Sequence, residues 1–125
     1  MKISKKTQYG LRALVFLAKN GFSSIKRIAQ AENIPYYYLE KIFSDLENSG
    51  LVKSKKGSLG GYFLKKKKIK LNDIFEALGE KMILVDCLKQ KCCQEKTCLT
   101  KSIWQNLYQK QKQYIDSISL TDLIK

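Results

Sequence analysis

Apolar residues recur at helical spacing along most of this chain, and two β-prone stretches interrupt them once. From Thr7 to Asn20, Leu11, Leu14, Val15 and Ala18 share one face, with Phe16 and Leu17 widening it. Asn20-Gly21 ends that helix, because glycine accepts the left-handed backbone of a helix terminus. Ser23 or Ser24 is placed to cap a second helix, Ile25 to Ala31, which turns Ile28 and Ala29 inward before Glu32-Asn33 breaks it. Pro35 suits the first turn of a third helix, where its missing N–H costs nothing. In that helix, Tyr36 to Asn48, the residues Leu39, Ile42, Phe43 and Leu46 lie at i, i+3, i+4 and i+7 and predict the core face. Tyr36, Tyr37, Glu40, Lys41 and Ser44 fall on the other side, and Ser49-Gly50 stops the helix. A short helix, a tight turn and a longer helix with polar and aromatic residues at its start match a helix-turn-helix, whose second helix reads base edges in the major groove.

Leu51-Val52-Lys53-Ser54-Lys55-Lys56 and Tyr62-Phe63-Leu64 flank Gly57-Ser58-Leu59-Gly60-Gly61 and read as a hairpin. Asn72 is placed to cap a fourth helix, Asp73 to Leu78, with Ile74, Phe75 and Leu78 inward and Gly79 ending it. Glu76 and Glu80, four residues apart, read as its solvated face. Met82-Ile83-Leu84-Val85 leads into a cysteine-rich loop. From Leu99 to Ile118 the helical period returns, with Ile103, Leu107, Tyr114 and Ile118 in a stripe that Trp104, Tyr108 and Ile115 broaden. So long a helix with so broad an apolar face predicts a homodimer through residues 99–118. Ser119 to Ile124 reads as a short terminal turn with two apolar anchors. The expected fold class is mainly α with a small β-hairpin wing (α+β), a winged helix-turn-helix with a long C-terminal dimerisation helix. It divides into a DNA-binding domain at 1–80, a cysteine-rich loop at 81–98, and a dimerisation helix with its terminal turn at 99–125.

Charge sharpens this picture. Of the net +13, residues 1–70 carry +12, from 16 Lys/Arg against 4 Asp/Glu. Eight lysines lie between Lys53 and Lys70 with no acid among them. A one-sided excess over the helix-turn-helix and wing is the footprint of a polyanion. The longest apolar run, Ala13–Ala18, is six residues, too short to span a bilayer, and no signal peptide follows the N-terminus, so a cytoplasmic location and no membrane partner are expected. The chain has no histidine and no phosphate-binding glycine loop, which argues against an enzyme.

Cys87, Cys92, Cys93 and Cys98 fall within twelve residues. Under reducing conditions such thiols are ligands or sensors rather than a disulfide framework. Thiolates suit iron–sulfur clusters, zinc or copper(I). The paired CxxC knuckles of structural zinc sites are absent, and the wider spacing suits a loop that wraps a larger object. Lys89, Lys91, Lys96 and Lys101 crowd the loop and favour the thiolate form.

The chain resembles the Rrf2 family of winged helix-turn-helix regulators along essentially its whole length. The resemblance rests on Tyr9-Gly10-Leu11-Arg12-Ala13-Leu14, on Ile34-Pro35-Tyr36-Tyr37-Tyr38-Leu39-Glu40-Lys41-Ile42 and on Gly50-Leu51-Val52-Lys53-Ser54. It continues through Gly60-Gly61-Tyr62-Phe63-Leu64, the cysteine loop, Cys98-Leu99-Thr100 with Trp104, and Ser119-Leu120-Thr121-Asp122-Leu123. It implies a homodimer on palindromic double-stranded DNA. It also implies a [2Fe-2S] or [4Fe-4S] cluster on three cysteines, serving iron–sulfur assembly, iron supply, or nitric-oxide and redox responses. Aligned on Cys98-Leu99-Thr100, the family pattern places ligands at Cys87, Cys92 and Cys98, with Cys93 as a substitute for Cys92. Where relatives place a histidine fourth ligand this chain has Lys101, and where another branch uses an aspartate from the partner's N-terminal helix it has Gln8. The fourth position is therefore open among Gln8 of the partner subunit, Asp86, Glu95, water or nothing. For DNA the resemblance and the basic pattern together nominate Ser4, Lys5, Lys26, Tyr36, Tyr37, Tyr38, Glu40, Lys41, Lys55 and Lys56. Among these, Lys56 stands where a wing arginine of relatives enters the minor groove.

The expected function is a dimeric regulator, a repressor or a dual regulator, whose cluster couples the cysteine loop to DNA affinity as two sites and two states. Three alternatives compete with it. One is a cluster-free thiol switch pairing Cys92 or Cys93 with Cys87 or Cys98; another is a zinc-stabilised constitutive DNA-binding protein; the last is an interaction module that binds no DNA.

Overall fold

The computed structural model describes residues 2–66, 68–81 and 98–124. The elements run α1 (Lys5–Asn20), α2 (Ile25–Glu32), α3 (Tyr36–Asn48), β1 (Val52–Lys55), β2 (Gly61–Leu64), α4 (Leu71–Ala77), α5 (Lys101–Ser117) and α6 (Leu120–Leu123). Among the described residues the protein is thus mainly helical with one two-stranded antiparallel sheet, the winged-helix arrangement expected from the pattern. Among the described residues no helix is long and apolar enough to cross a membrane.

Local chemistry sets most boundaries. The Ser4 hydroxyl accepts from the Thr7 N–H at 3.2 Å, so α1 starts two residues earlier than the apolar pattern alone predicts. Gly21, at φ 73°, closes it by donating to the Leu17 carbonyl at 2.8 Å. Ser24, rather than Ser23, caps α2 by accepting from Arg27 N–H at 3.1 Å, and Asn33 ends it in the left-handed region. In α3 the predicted core face is fully buried: Leu39, Ile42, Phe43 and Leu46 join Ala13, Leu14, Leu17 and Ile28 in one cluster. Gly10 lets the end of α4 approach α1, since a Cβ there would stand 2.4 Å from Leu78 Cδ1.

The hairpin pairs Val52 with Leu64, Lys53 with Phe63, Ser54 with Tyr62 and Lys55 with Gly61. The chain between α1 and α2 extends it by one bridge: Tyr62 N–H donates to Ser23 O at 2.8 Å, and Ser23 N–H donates to Tyr62 O at 3.1 Å. Ser23 is buried for that reason.

Two C-terminal expectations change. Helix α4 is not capped by Asn72. Asp73 accepts from the Lys70 N–H at 3.0 Å, so the helix begins at Leu71, and Asn72 donates to Glu76 at 3.2 Å instead. Gly79, at φ 75°, then turns the chain, and Glu80 leaves the face it was expected to share with Glu76. The long helix spans 17 residues, Lys101 to Ser117, not the whole of 99–118. It stops because the chain beyond it is taken up by backbone pairing: Leu71 N–H donates to Ile118 O at 2.9 Å and Leu120 N–H to Ile69 O at 2.7 Å. Leu120 is thereby buried in the main core, whereas Leu123 is exposed.

Gly61 has no room for a side chain, because a Cβ would lie 2.5 Å from Ser23 O and 2.9 Å from Ser24 N, both backbone atoms. Gly61→Ala is expected to destabilise the fold by about 1–3 kcal/mol by forcing the bridge apart. Urea denaturation would read this as a lower midpoint; an unchanged midpoint would mean that the Ser23 strand yields without cost.

Candidate nucleic-acid interface

Burying one face of α3 turns the other outward. Tyr36 and Tyr37 are exposed, Tyr37 by 75%, as are Glu40, Lys41 and Ser44. Tyr38 differs. It is half-buried with its ring edge-on to Tyr9 of α1, centroids 5.4 Å apart, so it braces the helix against α1. Lys6, Tyr37, Tyr38, Lys41 and Ile42 line a groove of about 270 Å³ between the two helices. Lys6 is held there by an ion pair with Asp45. Phenol hydroxyls and ammonium groups above an apolar floor suit hydrogen bonding to base edges and phosphates.

The opposite flank of α3 meets the wing. Tyr62 of β2 stacks on Phe43 at 4.6 Å and 28°. Partial burial pushes the Tyr62 phenol up, and the nearby Glu47 and Glu40 carboxylates add to the shift. Glu47 accepts from the Ser54 N–H at 2.8 Å. Hydrogen bonding with Ser54 holds its carboxyl below the usual range, helped by the Lys56 ammonium. Lys55 and Lys56, at the outer end of β1, are exposed, as are Lys53, Lys65, Lys66 and Lys68. Lys26 is exposed on α2. Its neighbour Arg27, which the sequence did not single out, lies over the Phe16 ring at 5.4 Å. Arg27 also lines a second groove, of about 320 Å³, with Phe22, Ser24, Ser58 and Leu59. That groove joins the N-terminus of α2 to the wing tip, a setting that favours an anion.

Near the start of α1, Lys5 is exposed, its Nζ 5.9 Å from the Tyr9 ring centroid. Ser4 is otherwise engaged. Its hydroxyl, besides capping α1, donates to Glu80 Oε2 at 2.8 Å, and the Thr7 hydroxyl donates to the same oxygen at 2.6 Å. The Ser4 hydroxyl is therefore already engaged by a carboxylate and by the α1 cap. Burial acts to raise the Glu80 carboxyl, but the bonds from Thr7 and Ser4 together outweigh it and the net shift is downward. Glu80 is a residue the sequence misread, since its partners are more than seventy positions away.

Glu80 also stands just ahead of the cysteine segment. Cys87, Cys92 and Cys93 lie outside the described residues, as do Asp86 and Glu95. Cys98 is described and partly exposed. Its Sγ lies 3.3 Å from the Thr100 hydroxyl. Hydrogen bonding with Thr100 lowers the thiol, and Lys101 assists. That favours thiolate, the form that ligates metals or attacks disulfides. Gln8 is exposed on α1, its amide donating to Ile3 O at 2.9 Å. On α5, Ile103 (58%), Leu107 (43%) and Tyr114 (61%) form an exposed apolar stripe, while Ile115 is buried.

Comparison with known proteins agrees with this geometry. The Rrf2 family model, described as an iron-dependent transcriptional regulator, matches residues 3–125. The HTH-type transcriptional regulator CymR of Bacillus subtilis is 37% identical over 128 residues, 98% of this chain and 89% of the relative. The solved structure of CymR, the global cysteine regulator of B. subtilis, superposes with a TM-score of 0.81 at 36% identity, covering 99% of this chain and 96% of that one. The structure of T. potens IscR gives 0.78 at 33% identity, covering 99% and 86%. An oxidized form of Staphylococcus aureus CymR gives 0.80 at 30% identity, covering 100% and 97%.

Because its folded-state pKa is depressed, Glu80 contributes stability at neutral pH that is lost as pH falls through the folded value. Glu80→Ala is expected to cost about 1 kcal/mol at neutral pH. The gap to wild type should close as pH drops below about 4. Urea titrations across that pH range check it, and a gap that stays constant would show that the carboxylate charge plays no part.

Proposed function

Because this chain belongs to the Rrf2 family of transcriptional regulators, we propose that it is a dimeric DNA-binding regulator controlled by an iron–sulfur cluster on Cys87, Cys98 and Cys92 or Cys93. Its family makes it a transcriptional regulator and not an enzyme. The observation that carries the finer reading is how the cysteine segment is fastened. Upstream, Glu80 is bonded to Ser4 and Thr7 at the start of α1; downstream, Cys98 precedes α5. A change in the segment therefore pulls on the helix that braces α3 and on the helix proposed to join the subunits.

A bound cluster would supply a redox centre and an iron-dependent tether. Cys98, lowered by Thr100 and Lys101, is prepared to ligate as thiolate. The family description as iron-dependent supports iron as the metal. Gln8 of the partner subunit is one candidate for the fourth position, with Asp86 and Glu95. On the DNA side, Tyr36, Tyr37, Glu40 and Lys41 face the bases, with Tyr38 bracing them. Lys5, Lys26, Lys55 and Lys56 neutralise phosphates.

A second reading is a thiol–disulfide switch without a cluster. The likeness to a global cysteine regulator, and to a relative solved in an oxidized form, favours it. Anaerobic isolation with a visible spectrum and assays of iron, sulfide and zinc separates the readings. Brown protein with matched iron and sulfide, whose affinity for a duplex selected from a random pool changes on cluster loss, is the expected result. Colourless protein that resists reconstitution would sink the cluster, leaving a thiol switch if a disulfide forms reversibly, or a zinc site if zinc is held.

The exposed Ile103, Leu107 and Tyr114 stripe supports dimerisation through α5. Ile103→Glu combined with Leu107→Glu is expected to convert dimer to monomer in light scattering. An unchanged dimer mass would place the interface elsewhere.

A further inference from the structure

The wing is fastened on both edges at a single rung. Ser54 lies opposite Tyr62, and Tyr62 sends its N–H and C=O outward to Ser23 at 2.8 and 3.1 Å. In an antiparallel pair the residue facing such a position also points its backbone groups outward. Ser54 accordingly turns its N–H away from the hairpin, and Glu47 Oε2 receives it at 2.8 Å. One edge is thus tied to the α1–α2 connection and the other to the last turn of α3.

Besides the Ser54 bond, only the nearby Lys56 ammonium favours an acid at position 47, and two other features oppose one. It lies in the final turn of α3, where the helix dipole disfavours negative charge. Lysines 53, 55 and 56 lie on the strand it meets and just beyond it, on the side of the molecule that would approach phosphates. A carboxylate there repels a polyanion and cancels part of the attraction. Its compensating use is geometric. A glutamate arm reaches from the helix to the strand and accepts a charge-assisted bond from the Ser54 backbone.

We propose that Glu47 is the positioning residue that sets the wing against the recognition helix, fixing the spacing between the base-facing residues of α3 and Lys55 and Lys56. The proposal rests on the DNA-binding reading. It makes Glu47 raise selectivity for the correct site while lowering general attraction to DNA.

The test uses full-length Glu47→Ala, Glu47→Asp and Glu47→Gln beside Lys56→Ala. Each is measured on a duplex that the wild-type protein selects from a random pool and on an unselected duplex of equal length. Glutamine keeps an acceptor at the same reach without the charge; aspartate keeps the charge but shortens the arm. Glu47→Gln is expected to bind the selected duplex at least as tightly as wild type. Alanine and aspartate should each lose about five- to tenfold on it. Alanine should bind the unselected duplex as well as wild type or better, since a repulsive charge is gone. Undiminished selected binding by aspartate, or tighter selected binding by alanine, would overturn the proposal in favour of a purely electrostatic role. Urea midpoints for each variant exclude unfolding, and the glutamine–aspartate contrast stands even if alanine does not fold. Failure of the DNA-binding reading looks different: the wild-type protein would select no sequence and Lys56→Ala would leave affinity and its salt dependence unchanged.

Discussion

Four side chains of α3, Leu39, Ile42, Phe43 and Leu46, have no exposed surface, and α1, α2, β1 and α4 all pack on that helix. Rotating it by one residue, about 100°, would expose them at roughly 1.5–3 kcal/mol each. Four such losses approach the whole stability of a domain, about 5–15 kcal/mol. The outward aim of Tyr36, Tyr37, Glu40 and Lys41 is therefore a consequence of core packing. The helix can read another molecule only because its inner face is locked, and neighbouring elements then gain fixed positions around it. Tyr38 holds it to α1 through Tyr9, and Phe43 holds the wing through Tyr62.

Electrostatics follows the same frame. Residues 1–70 carry just four acids against sixteen cations, and three of those acids sit at junctions. Glu32 joins α2 to α1 through Arg12, Asp45 joins α3 to α1 through Lys6, and Glu47 joins α3 to the wing through Ser54. The two partly exposed ion pairs, Arg12–Glu32 and Lys6–Asp45, contribute about 0–1 kcal/mol each. Their larger effect is on geometry, and spending the negative charge at junctions leaves the lysines of the wing facing outward. The fourth acid, Glu40, stays exposed on the outward face of α3, where a carboxylate would repel a phosphate.

Among the described residues, the C-terminal region is fastened to the rest of the fold at two places. Glu80 gathers bonds from Ser4 and Thr7 and so ties the upstream end of the cysteine segment to α1. Downstream, α5 packs against α4, and the chain after it pairs with residues 69–71 before Leu120 enters the core. The C-terminal region is thus bound into the N-terminal domain at both of its described ends. The family model is described as iron-dependent and one similar solved structure as a global cysteine regulator, so both descriptions attach to this one scaffold.

The sequence by itself determined what depends on neighbours a few positions apart. The i, i+3, i+4, i+7 stripe of α3, the glycine stop at Gly21, the proline start at Pro35 and the hairpin around Gly57–Gly61 were all legible, because helix period and turn chemistry are local. The concentration of lysines in residues 1–70 was legible for the same reason. Only the tertiary structure decided which polar groups would meet across the fold. The Ser23–Tyr62 bridge, the Glu47–Ser54 bond, the edge-on pairing of Tyr38 with Tyr9 and the Glu80 cluster with Ser4 and Thr7 carry no local signature. A glutamate reads identically whether it is solvated or bonded to a residue seventy positions away. The early end of α5 has the same origin: Ile118 was expected to stay helical by its period, but its carbonyl is taken by Leu71, a partner that exists only once the chain has folded.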